Sequence, residues 1–234
     1  MRILVINPNT TAAMTETIAA SARRVAVDPD SVTAVNPETG PAAIQGREDG
    51  ENALPGLFAL FDREMRGEAP HDGVVIACFD DTGLSHLRGQ TTQPVIGIGE
   101  AGYLAAMLLA ERFSVVTTLS VSVPVLEDNI SSYGFSRRCA NVRASGVPVL
   151  DLETDRAGAQ TVIEQEVARA FDEDDIGAVV LGCAGMTALA HALTQIFQRP
   201  VIDGVAAAIG LCEAMHKLQL ATSIDNATSA KARP

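Results

Sequence analysis

Two of the four cysteines, Cys78 and Cys183, end similar apolar runs and are the residues best suited to chemistry. The run Asp72–Cys78 reads DGVVIAC, and the run Ile176–Cys183 reads IGAVVLGC. Each cysteine closes a predicted strand before a turn into a helix, where the helix dipole is expected to lower the pKa of a thiol. A thiolate and a thiol on opposite faces of a carbon next to a carbonyl can remove a proton from one side and return one from the other. The pattern therefore favours racemisation.

The similarity around the two cysteines extends to the residues that follow them. Pro94-Val95-Ile96 begins 16 residues after Cys78, and Pro200-Val201-Ile202 begins 17 residues after Cys183. The opening strand has a counterpart in the segment from Ser114 onward, so the repeat distance is about 105–111 residues. A duplication of this size predicts two similar lobes, each with one cysteine at the same structural position. Chance similarity between valine-rich strands is the alternative.

The remaining cysteines and the histidines fit no second site. Cys139 and Cys212 have no duplicate and are interpreted as small hydrophobic residues. The cysteines form no CxxC pair and no histidine stands at metal-ligand spacing, which predicts neither a disulfide framework nor a metal site. His86 and His191 each follow a cysteine by eight residues, on predicted helices that lead away from the strand ends. We expect both at the surface or behind the site.

Polar side chains also follow other predicted strands. Ligands of open parallel sheets gather at the carboxyl ends of the strands, so Asn9, Thr117 and Thr118 are expected to share a crevice with the two thiols. These side chains include no Lys, Arg or His. Asp80 and Asp81 are interpreted as solvated or turn-forming rather than catalytic.

The elements that must position these residues alternate along the chain. The predicted strands are mostly continuous apolar runs, as expected of parallel strands covered on both faces: Ile3–Asn7, Val32–Asn36, Val74–Cys78, Val95–Ile98, Ser114–Thr118, Ala140–Ala144, Ala178–Cys183 and Val201–Asp203. The predicted helices between and after them are Thr11–Val25, Asn52–Arg66, Ala101–Glu111, Val123–Tyr133, Arg156–Phe171, Thr187–Phe197 and Val205–Leu218. This is an α/β pattern with two pseudo-symmetric lobes, each a mostly parallel sheet flanked by helices. The expected first lobe is 1–98 plus 205–234, the expected second lobe is 99–204, and the crevice between them is the expected active site.

Composition excludes several classes of partner. The formal net charge is −12, and no cluster of Lys or Arg offsets it, so we expect no binding to nucleic acid. No stretch approaches the roughly 18 apolar residues of a membrane span, and the short apolar start is better explained as a strand than as a signal peptide. Together with cysteines that are expected to stay reduced, these features predict a cytoplasmic protein. The polar tail from Ala221 to Pro234 is expected to be loosely held.

Five segments together resemble the aspartate/glutamate racemase superfamily, and specifically its hydantoin racemase branch. They are INPNT at Ile6–Thr10, ACFDDTGL at Ala77–Leu84, FSVVTTL at Phe113–Leu119, LGCAGM at Leu181–Met186 and PVIDGV at Pro200–Val205. The similarity covers the chain from its first strand to about Leu218. Each motif is weak alone, and the combination is specific.

This resemblance implies roles for individual residues. It implies that Cys78 and Cys183 are the catalytic pair and that no cofactor or metal takes part. It also implies substrate contacts from Asn9, Thr117 and Thr118 and from backbone amides near Phe79 and Gly185. Asp203 matches a segment that lines the floor of the site, although a cap on the helix from Val205 explains it equally well.

A nearly uncharged crevice suits a small neutral substrate. The leading hypothesis is the racemisation of 5-monosubstituted hydantoins, with allantoin, which is 5-ureidohydantoin, as the alternative. An amino-acid racemase, a maleate-type isomerase, a decarboxylase and a non-enzymatic two-lobe ligand-binding module stay open as further alternatives. We also expect a homo-oligomer.

Overall fold

Eight strands form two four-stranded parallel sheets in the computed structural model, which describes residues 1–67 and 69–223. The strands are β1 (Ile3–Ile6), β2 (Val32–Val35), β3 (Gly73–Ile76), β4 (Val95–Gly97), β5 (Phe113–Thr117), β6 (Cys139–Ala144), β7 (Ala178–Leu181) and β8 (Val201–Asp203). The first sheet has the order β2-β1-β3-β4 and the second the order β6-β5-β7-β8. Because the two orders match strand for strand, the α/β fold with two similar lobes is confirmed.

The two inner strands of each sheet explain the continuous apolar runs of the sequence. Every residue of β1, β3, β5 and β7 is buried. A parallel strand with helices on both faces exposes no side chain to water, so it loses the alternation of polar and apolar residues. The outer strands β2 and β6 are mostly half-buried, whereas the outer strands β4 and β8 are mostly buried.

Nine α-helices connect and cover the strands within the described residues. They are α1 (Ala12–Val25), α2 (Arg47–Met65), α3 (Leu84–Arg88), α4 (Ile98–Leu109), α5 (Val123–Ser132), α6 (Asp151–Thr154), α7 (Arg156–Glu173), α8 (Ala190–Phe197) and α9 (Gly204–Lys217). The sequence did not predict α3 and α6, which are five and four residues long and too short to show an apolar period. We expected a helix from Thr187. A 3₁₀ segment, Ala184–Leu189, stands at its start instead, and α8 follows this segment. None of the described helices has both the length and the apolar character that a membrane span requires.

The two lobes meet through α4 and α9, which follow the equivalent strands β4 and β8. A side chain at Gly204 would place its Cβ 2.4 Å from the carbonyl oxygen of Ile98, so the starts of the two helices touch backbone to backbone. Only glycine permits this approach. Helix α9 also packs on α1 and β3 of the first sheet. We propose on this basis that α9 belongs to the first lobe. The tail that we expected to be loosely held lies outside the described residues from position 224 onward.

Candidate active site

Cys78 and Cys183 occupy equivalent positions, two residues beyond β3 and β7. Their backbones turn in the same way, since the carbonyl of Cys78 accepts from the N–H of Asp81 and the carbonyl of Cys183 accepts from the N–H of Met186, both at 3.0 Å. Both cysteines line one small cavity that is partly open to solvent. The duplicated cysteines of the sequence thus share one cavity.

The wall of this cavity comes from both lobes. It consists of Asn9, Met14, Ile44, Ala77, Cys78, Phe79, Asp80, Thr117, Thr118, Ser122, Val149, Gly182, Cys183 and Ala184. Four of the other residues singled out in the sequence, Asn9, Phe79, Thr117 and Thr118, belong to this wall. Sequence reasoning missed the apolar wall of Met14, Ile44 and Val149, because a side chain in a loop or on a helix carries no local sign that it faces a ligand.

Gly185 and Asp203 lie behind the cavity wall. The backbone N–H of Gly185 opposes the rise in the pKa of Cys183 that burial causes, and a side chain on its α-carbon would collide with Leu152. The carboxylate of Asp203 accepts from the N–H of Val205 at 2.8 Å and from the hydroxyl of Ser21 at 2.6 Å. Of the two interpretations of Asp203, this geometry matches the helix cap.

Polar groups surround both sulfurs. The Cys78 sulfur accepts a hydrogen bond from the Thr82 hydroxyl at 3.4 Å. The N–H of Asp80 at Cys78, and the N–H groups of Gly185 and Met186 at Cys183, oppose the rise in thiol pKa that burial causes. In each lobe the residue two positions after the cysteine supplies an amide, which would stabilise a thiolate when one forms.

The prediction that the helix dipole lowers the pKa of these two thiols is wrong. Burial raises the pKa of Cys183 to about 12, with the charge of Asp80 adding to the rise and the amide of Gly185 opposing it. Burial, again followed by Asp80, raises the pKa of Cys78 well above its usual range. The physical reason is that neither cysteine stands at the start of a long α-helix: α3 begins only at Leu84, and Cys183 precedes a 3₁₀ segment. Desolvation therefore outweighs the local dipoles.

Neither histidine near the cysteines in sequence lines the cavity. His86 stacks on Phe58 with 4.2 Å between ring centroids. No Lys, Arg or His is among the described residues of the cavity wall, and Asp80 is the only carboxylate there. Across residues 1–67 and 69–223, no group of three or more His, Cys, Asp and Glu side chains is arranged to hold a metal ion. The wall thus offers amides, hydroxyls, two thiols and one carboxylate to a ligand.

Comparison with known proteins shows the family to which this chain belongs. The family model described as Asp/Glu/Hydantoin racemase matches residues 3–212. The chain belongs to this family. It is 46% identical to a hydantoin racemase of Rhizobium meliloti over 95% of this chain and 92% of the relative.

Two solved structures agree closely with this fold. The allantoin racemase from Klebsiella pneumoniae superposes with a TM-score of 0.91 at 44% identity, covering 95% of this chain and 90% of that one. The allantoin racemase from Pseudomonas fluorescens gives a TM-score of 0.89 at 40% identity, covering 95% and 94%. The protein is therefore an enzyme, an isomerase of the racemase type, and the reading as a non-enzymatic binding module is excluded.

The adjacent carboxylates of this racemase have different surroundings. Asp81 lies in a turn with φ +51° and is buried, and its carboxylate accepts from the N–H groups of Gly99 and Glu100 and from the Tyr133 hydroxyl at 2.8–2.9 Å. It therefore joins the turn after Cys78 to α4 and α5. Asp80 lies in the same turn, as one of its two interpretations expected, and it also lines the cavity.

Proposed function

We propose that the enzyme racemises 5-monosubstituted hydantoins at C5 by proton transfer between Cys78 and Cys183. The observation that supports this most directly is that two equivalent strand ends, one in each lobe, bring a thiol to the same cavity. A pseudo-symmetric pair of acid/base groups suits a reaction whose substrate and product are mirror images.

In the proposed mechanism one cysteine is a thiolate and the other a thiol. The thiolate takes the proton from C5, and the electron pair of the broken C–H bond moves into the C4 carbonyl to form an enolate. The enolate then collapses to the carbonyl as the second cysteine gives its proton to C5 from the opposite face. The two cysteines have exchanged their protonation states, so the next turnover of the same enantiomer requires a return of the proton through solvent.

The remaining polar groups of the wall are suited to holding a neutral ring. The Asn9 side-chain oxygen accepts from Asn7 and from the N–H of Thr11, while its NH₂ contacts only the sulfur of Met14 at 3.2 Å. That NH₂ is thus available to donate to a ring carbonyl. The Thr117 hydroxyl donates to the carbonyl of Gly182 at 2.9 Å, which leaves its oxygen as an acceptor, and Thr118 lies beside it.

The identity of the C5 substituent has two candidates. Met14, Ile44 and Val149 form an apolar wall, which favours an alkyl or aryl group. The solved relatives named as allantoin racemases favour a ureido group. Initial rates with 5-benzylhydantoin and with allantoin, each supplied as a single enantiomer and followed by circular dichroism, separate the two.

We further propose that the enzyme acts in the cytoplasm. Its mechanism needs both thiols reduced, and the structure gives all four cysteines as free. A reducing compartment preserves that state.

Replacing each cysteine in turn tests the two-base assignment. Cys78→Ser and Cys183→Ser should each lower the racemisation rate by about 10²- to 10⁴-fold, the usual contribution of a positioned acid or base. In D₂O each variant should still exchange the C5 proton of the one enantiomer that faces the surviving thiol, which ¹H NMR detects. Cys139→Ser is the matched control, because Cys139 is a free cysteine outside the cavity. Equal and substantial racemisation by both single variants would defeat the assignment.

A further inference from the structure

Asp80 breaks the symmetry between the two halves of the cavity. The N–H of the residue two positions after each cysteine opposes the rise in thiol pKa that burial causes, and in the second lobe this residue is Gly185, which has no side chain. In the first lobe it is Asp80, an acidic residue that lines the cavity. The cavity therefore carries one acidic group on one side and nothing equivalent on the other.

One oxygen of this carboxyl group is buried without a partner. No donor among the described residues reaches Asp80 Oδ2. The backbone at the same residue is fixed, because the side chain of Asn129 donates to its carbonyl at 2.8 Å. A buried acceptor without a hydrogen bond is unfavourable, and a ligand that supplies a donor removes that cost.

The charged residue that acts on Asp80 within the described part of the chain, Asp49, has the same sign. Burial, and then the nearby Asp49, raise the pKa of Asp80 to about 7. The negative charge of Asp80 in turn raises the pKa of both Cys78 and Cys183. Among the described residues of the cavity wall no cation compensates it. A second negative charge on a ligand would be repelled here, whereas a neutral N–H donor would be attracted.

Resting on the function proposed above, we propose that Asp80 is a specificity-determining residue that accepts a hydrogen bond from a ring N–H of the hydantoin and excludes substrates that carry a carboxylate. A hydantoin ring offers two N–H donors and two carbonyl acceptors and has no charge. Asp80 provides the acceptor and the NH₂ of Asn9 provides a donor, so the two side chains match the two kinds of polar group on the ring.

Two achiral competitive inhibitors measure this preference. Unsubstituted hydantoin is the neutral ring, and N-carbamoylglycine is its hydrolysis product, in which water has opened the ring and left a carboxylate. Inhibition constants are measured against racemisation of 5-benzylhydantoin or allantoin, whichever the wild type turns over. At pH 8, where Asp80 is mostly ionised, hydantoin should bind about 10-fold or more weakly to Asp80→Asn, since a charged acceptor becomes neutral. N-Carbamoylglycine should bind about 10-fold more tightly, since the repulsion is gone.

Asp49→Asn is the matched control. It removes a negative charge close to Asp80 but leaves the acceptor in the cavity, so the ratio of the two inhibition constants should stay within about threefold of wild type. Asp80→Ser provides a second variant if Asp80→Asn does not fold, as judged by circular dichroism. It should shift the ratio in the same direction.

The inhibitors also separate failure of this inference from failure of the proposed function. An unchanged ratio in Asp80→Asn and Asp80→Ser, with racemisation intact in the wild type, overturns the role of Asp80 alone. A wild type that racemises neither substrate overturns the proposed function. Isothermal calorimetry of the two inhibitors then still tests Asp80, because the preference for the neutral ring needs no turnover.

Discussion

The racemisation rate should rise with pH because both thiols are buried. With the pKa of Cys183 at about 12, the fraction present as thiolate is about 10⁻⁴ at pH 8 and grows roughly tenfold per unit. The proton acceptor is the thiolate, so its supply limits kcat/KM in the free enzyme. Because the thiol pKa is raised, kcat/KM should continue to increase at alkaline pH.

The ionisation of Asp80 should lower the slope of log kcat/KM against pH near neutral pH. As its carboxyl group ionises at about pH 7, the new negative charge raises the pKa of both thiols and holds back part of the gain. The slope of log kcat/KM against pH should therefore be less than one between about pH 6 and 8 in the wild type. In Asp80→Asn the slope should be close to one over the same range, and the rate at pH 8 should be higher for a substrate that saturates both enzymes.

The assay is the loss of circular dichroism of a single hydantoin enantiomer, with initial rates measured well below KM from pH 6 to 8.5 and, at pH 8, also at saturating substrate. The double variant Cys78→Ser/Cys183→Ser supplies the background, because hydantoins also exchange their C5 proton in base without enzyme. A profile that levels off below pH 7.5 in Asp80→Asn would refute the reasoning. It would mean that a thiol ionises near neutrality and that burial does not control its pKa.

Two stability predictions follow from buried polar contacts. Asp81→Ala leaves two N–H groups of α4 and the Tyr133 hydroxyl without their acceptor and should lower the free energy of unfolding in urea by about 3 kcal/mol or more. The exposed Asp62→Ala should change it by less than about 0.5 kcal/mol, and equal effects would contradict the role of Asp81. Arg143→Met leaves the carboxylate of Asp174 without its ion-pair partner at 2.6 Å, where the two side chains are 13% and 7% exposed. Thermal unfolding should show a loss of about 3 kcal/mol, and an unchanged midpoint would refute the importance of this pair.

The sequence predicted the strands well and the short helices poorly. Inner parallel strands such as β3 and β7 are buried on both faces, so their composition alone marks them. Short helices such as α3 end before an apolar period can repeat, and propensity alone does not identify them. The start of the helix after Cys183 was misassigned for a related reason, since a 3₁₀ turn and an α-helix share much of their local preference.

The equivalence of Cys78 and Cys183 was determined by the sequence itself, because a duplicated segment folds the same way twice and places both at the same end of matching strands. The protonation of these thiols was decided only by the tertiary structure, since desolvation depends on atoms from both lobes. The same holds for the adjacent pair Asp80 and Asp81. Asp81 accepts hydrogen bonds from N–H groups of α4, whereas Asp80 lines the cavity. The two side chains are identical and adjacent, so their different roles depend on the tertiary structure.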